Sequence, residues 1–344
     1  RPCRKNSAPR FRTSAGWSDG LKVTSGDDWF VTPADVPSVL RLKNGTLVAN
    51  WYPTTDALIE AYETMLSYST DEGKTWSSPL SPHHDGTKTQ HGFVSMFELA
   101  TGGLGLVWLD GRDQELNTKD PLGGSMALFF ASFDTRWKQD AESRVDARVC
   151  ECCQTAAVVT PDGILTAFRD RSEEEVRDVK VSRLESGAWT PAQSIHDDNW
   201  KIEACPVNGP ALSARGRDIA VAWFAAPNDN GRAFAAFSKD AGRTWSAPIR
   251  LDDQASLGHV DIEWLDDGSA AASWVEFAGG SSRFKVRRVW PSGARSDAVD
   301  VSGGRVSGYP RMTRTADELI LVWNASESGQ ELKGAAARLP RAGS

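Results

Sequence analysis

A repeat of one short pattern limits the folds open to this 344-residue chain more than any other feature. Each copy has an apolar segment, a turn that often contains Gly, a second apolar segment and a final aromatic residue. The intervals between successive final aromatics are 57, 60, 55, 51 and 49 positions. A long, nearly regular period is typical of architectures in which one supersecondary unit is repeated. The six copies end at Trp51, Trp108, Phe168, Trp223, Trp274 and Trp323.

Each copy predicts a small antiparallel sheet. Alternating apolar residues on either side of an Asn-Gly or Asp-Gly dipeptide are typical of a β-hairpin. A third apolar run follows, and then a polar stretch that could form a short outer strand. Four short strands, repeated six times with almost no helical periodicity, predict an all-β, six-bladed β-propeller of four-stranded blades. A two-domain β-sandwich is the alternative, but the even spacing of the aromatic residues disfavours it.

The repeat also sets the domain organisation. Residues 1–344 form one predicted domain, and residues 10–31 lie outside the repeats. We expect this segment to supply a strand that closes the ring with the sixth blade, because a closed ring has no exposed sheet edge. The predicted blades span residues 33–82, 90–145, 150–197, 204–252, 258–300 and 306–340.

Composition excludes several classes of partner. The chain has 39 Lys+Arg against 46 Asp+Glu, a net charge of -7, and nucleic acids or anionic membranes require a basic surface. No apolar run approaches the roughly 20 residues of a membrane span, and the first ten residues lack the apolar stretch of a signal peptide. We therefore expect no nucleic-acid partner and no transmembrane segment. We also expect a secreted or periplasmic protein whose targeting segment is absent from this sequence.

Two segments, residues 69–76 and 238–245, share the pattern S-x-D-x-G-x-T-W. The pattern predicts a turn in which Asp accepts backbone N–H bonds, Gly takes a positive φ and Trp packs on the sheet. It resembles the Asp box of sialidases and other Asp-box propellers, with weaker copies near Asp134 and Trp189. This resemblance covers most of the chain and implies a six-bladed propeller. The residues with this structural role are Asp71, Gly73, Trp76, Asp240, Gly242 and Trp245.

Asp-box propellers include hydrolases, lyases and binding proteins, so the reaction must be argued from the site. In propellers the site lies at the axial mouth, where inner strands begin and second strands end. Sialidases use a Tyr nucleophile helped by a Glu, an Asp as acid and base, and three Arg residues around the substrate carboxylate. A neutral nucleophile avoids repelling that carboxylate, and Arg binds it with two parallel hydrogen bonds.

Three positions are similar to the catalytic positions of sialidases. Residues 307–311 (SGYPR) resemble the segment that carries the nucleophile, which implies that role for Tyr309. Residues 150–154 (CECCQ) resemble the segment of the activating Glu, which implies that role for Glu151. The loop at residues 52–56 lies where the family keeps its acid, and this implies Asp56. A structural Tyr and an ordinary loop Asp remain the alternatives.

The arginine positions match less well. The resemblance implies Arg169 as the second arginine and Arg283 as the third, although Arg283 could be an ordinary surface residue. Where sialidases carry R-I-P for the first arginine, this chain has Asp35. An Asp there changes attraction of a carboxylate into repulsion, on the order of several kcal/mol in a partly desolvated site. Asp35 could instead bind a hydroxyl or a cation. Two arginines could replace the missing one, Arg112 and Arg171.

Four cysteines precede neighbouring inner strands: Cys150, Cys152, Cys153 and Cys205. A disulfide between Cys205 and one of the other three is one interpretation, with Cys3 available for another pair. A soft-metal site for Cu or Zn is the second, and unpaired core thiols are the third. Adjacent cysteines are disfavoured as partners of each other because their geometry is strained.

The remaining polar features are less specific. The charge-rich segment 169–178 predicts a solvated loop, although it follows a second strand and could line the mouth. His83 lies in a linker, and His91 and His259 precede the inner strands of the second and fifth blades. No common metal-binding histidine spacing occurs.

The sequence thus predicts an exported, sialidase-like glycoside hydrolase, or a divergent descendant, that binds a glycan at the mouth without a cofactor. The alternative is a non-catalytic binding propeller whose cysteines hold a soft metal or a partner.

Overall fold

The computed structural model describes residues 5–7, 12–13, 16–58, 60–114, 125–325 and 331–339. The fold is an all-β, six-bladed β-propeller with mostly four-stranded blades, which confirms the fold class predicted from the repeat. In the part of the chain that these ranges cover, no helix has the length and apolarity needed to cross a membrane. The chain divides into two compact units, which we call unit 1 (Arg1–Glu151) and unit 2 (Cys152–Ser344).

Unit 1 begins with four short strands that pair among themselves. Strand β1 (Lys5–Ser7) pairs with β4 (Thr24–Gly26), and β2 (Arg12–Thr13) pairs with β3 (Gly16–Trp17). The closure of the ring by a strand from residues 10–31 stays a prediction.

The first blade of unit 1 contains β5 (Val39–Arg41), β6 (Leu47–Trp51) and β9 (Met65–Ser69). Between β6 and β9 the chain forms a separate hairpin of β7 (Thr54–Asp56) and β8 (Ala61–Tyr62). The sequence predicts a loop here instead, because residues 54–56 are Thr, Thr and Asp and have no apolar alternation.

The second blade has four strands, β10 (His91–Glu98), β11 (Leu104–Asp110), β12 (Met126–Phe133) and β13 (Gln139–Val149). Strands β11 and β12 are buried along their whole length, so both faces of this sheet are covered. Its core joins that of the first blade in one apolar cluster, in which Val48 and Leu66 meet Leu106 and Trp108.

Unit 2 holds the other four sheets. The third blade contains β14 (Ala156–Thr160), β15 (Gly163–Arg169) and β16 (Val179–Glu185), and its outer strands β17 (Ala188–Trp189) and β18 (Gln193–Ser194) both pair with β16. The fourth blade contains β19 (Ala211–Arg215), β20 (Asp218–Ala225), β21 (Arg232–Ser238) and β22 (Ile249–Arg250). A single 3-10 turn, Pro227–Asp229, follows β20.

The last two blades complete unit 2. The fifth contains β23 (Ala255–Trp264), β24 (Ala270–Ala278), β25 (Ser281–Val289) and β26 (Val299–Asp300). The sixth has three strands among the residues described, β27 (Val306–Arg314), β28 (Glu318–Ala325) and β29 (Glu331–Arg338).

Every final aromatic of the repeat lies on the second strand of its blade, and Trp108, Trp223 and Trp274 are among the largest fully buried side chains. Each of these three indoles also donates its N–H to a carboxylate, so each side chain is held by a hydrogen bond as well as by apolar packing. The bonds are Trp108 to Asp110 at 2.7 Å, Trp223 to Asp198 at 2.7 Å and Trp274 to Glu276 at 3.1 Å.

The two S-x-D-x-G-x-T-W turns follow the third strands of the first and fourth blades and are built alike. Asp71 accepts the backbone N–H of Thr75 at 2.9 Å and its hydroxyl at 2.6 Å, and Asp240 accepts the same groups of Thr244 at the same distances. Hydrogen bonds from Thr75 lower the pKa of Asp71 to about 2. Those from Thr244 and Ser238 outweigh burial and likewise lower the pKa of Asp240 to about 2.

Candidate functional site

The inner strands of unit 2 bring Tyr309 into contact with residues from three other blades. Tyr309 lies on β27 of the sixth blade, and its hydroxyl donates to the carbonyl of Val207 at 2.6 Å. Its ring and that of His259 form a T-shaped pair, with 4.2 Å between centroids and 87° between planes. Burial raises the pKa of Tyr309 above its ordinary value of 10.0, and a hydrogen bond with Gln154 opposes this rise.

His259 connects the fourth and fifth blades at this site. Its backbone N–H donates to the side-chain oxygen of Asn208 at 2.7 Å. Burial, helped by the positive charge of Arg311, lowers the pKa of His259 to about 4, so the imidazole is neutral near pH 7. The preceding Gly258 has φ +80°, and a Cβ there would lie 2.1 Å from Asn208. Only glycine fits this close approach without displacing the amide.

Three of the cysteines lie in or next to a turn at residues 150–153, where unit 1 ends and unit 2 begins. The sulfur atoms of Cys150, Cys152 and Cys153 lie within 4.8 Å of one another. Cys150 and Cys153 are buried, whereas Cys205 is exposed. Glu151 is half-buried in the same turn. The disulfide and the metal site both stay predictions.

The guanidinium of Arg169 binds main-chain carbonyls of unit 2. Its side chain is buried, and three of its nitrogens donate to main-chain carbonyls, those of Asn208 at 2.8 Å, Arg177 at 2.6 Å and Phe224 at 2.6 Å. The guanidinium also lies 4.8 Å from the ring centre of Trp200. These contacts tie the third blade to the fourth and use donors that a substrate carboxylate would need.

The other arginines predicted in unit 2 differ in exposure. Arg171 is buried, and its Nη2 lies 2.7 Å from Oε1 of Glu175. Arg283 on β25 is 27% exposed, and its Nε lies 4.0 Å from the carboxylate of Asp300. The charged segment 169–178 is therefore not a solvated loop, because Arg169, Arg171 and Arg177 are all buried.

In unit 1 the two predicted aspartates have different environments. Asp56 ends β7, accepts the backbone N–H of Leu58 at 3.1 Å and lies 3.8 Å from the ammonium of Lys88. Asp35 is buried and accepts the hydroxyl of Tyr62 at 3.0 Å. Burial raises the pKa of Asp35 to about 6, although hydrogen bonds from Tyr52, Phe93 and Tyr62 act in the opposite direction. The hydroxyl bound by Asp35 is thus one of the protein's own.

Arg112 belongs to a buried cluster of unit 1 that sequence reasoning did not assemble. Its guanidinium binds Asp110 through Nε at 2.9 Å and Nη2 at 2.8 Å, and its Nη1 lies 2.7 Å from Glu142. Next to this fork the imidazole rings of His83 and His91 stack at 3.9 Å. The only signal in the sequence was the short spacing of His83, Asp85 and His91, which matches no common motif.

Comparison with known proteins places this chain by its architecture. No protein-family model matches the sequence, and no curated protein matches it either. Solved glycosidases do align with it, at low identity. The NanB sialidase of Streptococcus pneumoniae aligns over 93% of this chain and 70% of its own, at 12% identity and a TM-score of 0.55. This chain shares the sialidase fold.

Two further structures agree with that placement. A GH93 α-L-arabinofuranosidase of Fusarium graminearum aligns over 91% of this chain and 95% of its own, at 11% identity and a TM-score of 0.58. The intramolecular trans-sialidase of the leech aligns over 88% of this chain and 68% of its own, at 13% identity and a TM-score of 0.55. At these identities the likeness establishes the fold alone, since one fold hosts many functions.

Proposed function

We propose that this protein is an exported glycoside hydrolase, sialidase-like or a divergent descendant, with Tyr309 as its nucleophile. Tyr309 attacks the anomeric carbon, Glu151 accepts the phenolic proton, and Asp56 protonates the leaving oxygen; water then releases the sugar from Tyr309. The observation that carries the proposal is the position of Tyr309. Tyr309 is half-buried on the inner strand of the sixth blade and contacts Gln154, Val207 and His259, which belong to three other blades.

The acid–base properties of this site support a separate proton acceptor. Because burial raises the pKa of Tyr309 above 10.0, the phenolate is scarce near pH 7 and the proton must leave as the new bond forms. His259 is neutral at that pH, and its ring packs at nearly a right angle to the phenol. It therefore brings no positive charge to the hydroxyl. A carboxylate such as Glu151 fits the remaining role.

The arginines favour a substrate that does not need a full carboxylate clamp. Arg169 donates from all three of its nitrogens to carbonyls, and Arg171 and Arg112 are paired with acids. Arg283 has the most exposed side chain of the four at 27%, and we assign it to substrate binding. A neutral glycan is therefore favoured over a sialoside, because a carboxylate desolvated without a paired guanidinium is costly.

Hydrolysis of a panel of fluorogenic glycosides tests the proposal. The panel holds a sialoside, an α-L-arabinofuranoside, a uronide and neutral hexosides. We expect hydrolysis of a neutral member, and Tyr309→Phe should lower kcat/KM by at least about 10³-fold. Tyr68→Phe is the matched control, since Tyr68 stacks on Trp137 at 4.0 Å and its variant keeps that contact. A Tyr309→Phe enzyme as fast as its parent would remove the proposed nucleophile.

A non-catalytic binding propeller is the second candidate, and the cysteine turn favours it. Three thiol sulfurs within 4.8 Å of one another suit Cu(I) or Zn. Metal analysis of protein purified under reducing conditions tests this function. It predicts near-stoichiometric metal that is lost from the Cys152→Ser, Cys153→Ser double variant, together with no turnover of any glycoside in the panel.

A further inference from the structure

We propose that unit 1 contains a second, thiol-free metal site, in which His83, His91 and Glu63 bind one divalent transition-metal ion. The site is separate from Tyr309 and does not depend on the proposed hydrolysis. Two imidazoles and one carboxylate form a ligand set that zinc and non-haem iron use when a coordination position stays open.

The spacing of the ligand atoms fits one ion. Nε2 of His83 lies 3.0 Å from Oε2 of Glu63, and Nδ1 of His91 lies 3.9 Å from the same oxygen. Two ligands at about 2.1 Å from one ion are roughly 3.0–3.4 Å apart at octahedral or tetrahedral angles. The first distance already matches, and the second requires a shift of about half an ångström.

The histidine nitrogens provide an independent indication. The side chain of His91 has no exposed surface, yet neither ring nitrogen makes an aligned hydrogen bond within the residues described, although Nε2 lies 3.3 Å from Asp85. Nε2 of His83, whose side chain is 3% exposed, lies 3.0 Å from Oε2 of Glu63 but is not aligned for a hydrogen bond with it. Buried polar atoms without partners are rare in folded proteins, because each costs about 1–3 kcal/mol. An ion between the rings and Glu63 would satisfy Nε2 of His83 and Nδ1 of His91 together.

Asp85 lies next to both histidines, beside the ring nitrogen of each that would not bind the ion. Its Oδ2 lies 2.9 Å from Nδ1 of His83 and 3.3 Å from Nε2 of His91, which are the nitrogens facing away from Glu63. Metal-binding histidines usually donate their other N–H to a carboxylate, which fixes the tautomer. Asp110 is not counted as a ligand. Its two oxygens already accept four N–H groups, one from Trp108 and three from Arg112.

The local charge also favours a cation. Four carboxylates, those of Glu63, Asp85, Asp110 and Glu142, surround the guanidinium of Arg112 and the two histidines. With neutral imidazoles this leaves three negative charges in excess. A divalent ion reduces the excess to one, whereas isolated buried charges are costly.

Binding must also change the ring geometry. The imidazoles are nearly parallel, 7° apart, and an imidazole binds a metal in its own plane. An ion held by both nitrogens therefore tilts the two rings out of their stack. Glu63 is 24% exposed, so this side of the site is open to solvent and to a further ligand such as water.

Metal binding to the full chain tests the proposal. The protein is stripped with a chelator, and Zn²⁺ and Co²⁺ binding is measured by equilibrium dialysis with elemental analysis. We expect one ion per chain, and a Co²⁺ spectrum without the near-ultraviolet band of thiolate ligands. The Cys152→Ser, Cys153→Ser variant should keep this ion, which separates the site from the cysteine turn.

Three variants define the ligands. Glu63→Gln and His83→Asn should weaken binding at least about tenfold. His84→Asn is the matched control, because His84 is the exposed neighbour of His83 and should bind as the parent does. Circular dichroism confirms that each variant is folded, and the part-exposed Glu63 tolerates Gln most easily. The proposal is overturned if the Cys152→Ser, Cys153→Ser variant binds no ion, or if Glu63→Gln binds as tightly as the parent.

Discussion

Arg169 shows how the partners of a side chain decide its role. The resemblance to sialidases implies a substrate-binding arginine, but this guanidinium donates to three main-chain carbonyls from two blades. Arg177 lies just before β16, whereas Asn208 lies before β19 and Phe224 near the end of β20. The last two are 39 and 55 positions from Arg169, so no local pattern reports these bonds. Sequence similarity could place Arg169 at the end of β15, but it could not identify the groups that Arg169 binds.

Arg169→Met should therefore destabilise the fold. Removal of the guanidinium leaves the carbonyls of Arg177, Asn208 and Phe224 without these donors, and we expect a loss of about 3 kcal/mol or more in the free energy of unfolding. Arg283→Met, at a side chain 27% exposed, should cost about 1 kcal/mol or less. Urea denaturation followed by Trp fluorescence measures both. Equal losses in the two variants would contradict the structural role of Arg169.

At the scale of elements, the sequence predicted the strands better than their connections. Asn44-Gly45 lies in the connection between β5 and β6, and Asp162-Gly163 lies where the connection from β14 enters β15, as expected because these dipeptides favour turn conformations. The β7–β8 hairpin was missed, since its strands lack apolar alternation. The segment around His83 was likewise read as a linker, because its contacts with His91 and Glu63 depend on tertiary packing.

The turn at residues 238–245 allows a prediction about an element. Asp240→Ala removes the acceptor of the Thr244 hydrogen bonds and should destabilise the protein by about 1 kcal/mol at pH 7. Because the pKa of Asp240 is lowered to about 2, its stabilising effect is present above about pH 4 and is lost as the pH falls through 2. Denaturation at pH 7 and pH 2 measures this.

Lys239→Ala, at the exposed neighbouring position, is the control and should match the parent at both pH values. If the deficit of Asp240→Ala were as large at pH 2 as at pH 7, the ionised carboxylate would not be its source.

For the whole molecule, Asp35 predicts a component of stability that falls as pH rises. Its pKa increases from 3.8 to about 6 on burial, so the folded state holds a proton that the unfolded state has released. This favours folding fully below pH 3.8 and is lost as pH rises through 6, an effect of roughly 3 kcal/mol.

Asp35→Asn, which cannot ionise, should remove that component. The free energy of unfolding of the variant relative to the parent should rise by up to about 3 kcal/mol between pH 4 and pH 7. Asp27→Asn, at an exposed position, should show a constant difference. Denaturation curves across this range measure both, and a flat profile for Asp35→Asn would show that Asp35 is ionised throughout.

The fold could be predicted from the sequence because the period of the repeat and the placement of its aromatics are local properties. The candidate sites could be predicted only as positions. Tyr309 and Asp35 could be identified as positions, but neither the burial that raises their pKa values nor the hydrogen bonds from Gln154 and Tyr62 that oppose this rise could be read from the sequence. No spacing rule connects these residues, since each comes from another strand or blade.

The indole–carboxylate bonds of the second strands bear on how the six repeats can diverge. In the second and fifth blades, replacing Trp108 or Trp274 by Phe would take a donor from the acid two positions later. In the third blade Phe168 already stands there, and the corresponding Asp170 binds Lys180 at 2.6 Å instead. In these blades a change from Trp to Phe is therefore easier where the acid two positions later is also bound by a cation, as Asp110 is by Arg112. In the second, third and fifth repeats, the choice between Trp and Phe at this position is thus linked to how the acid two positions later is bound.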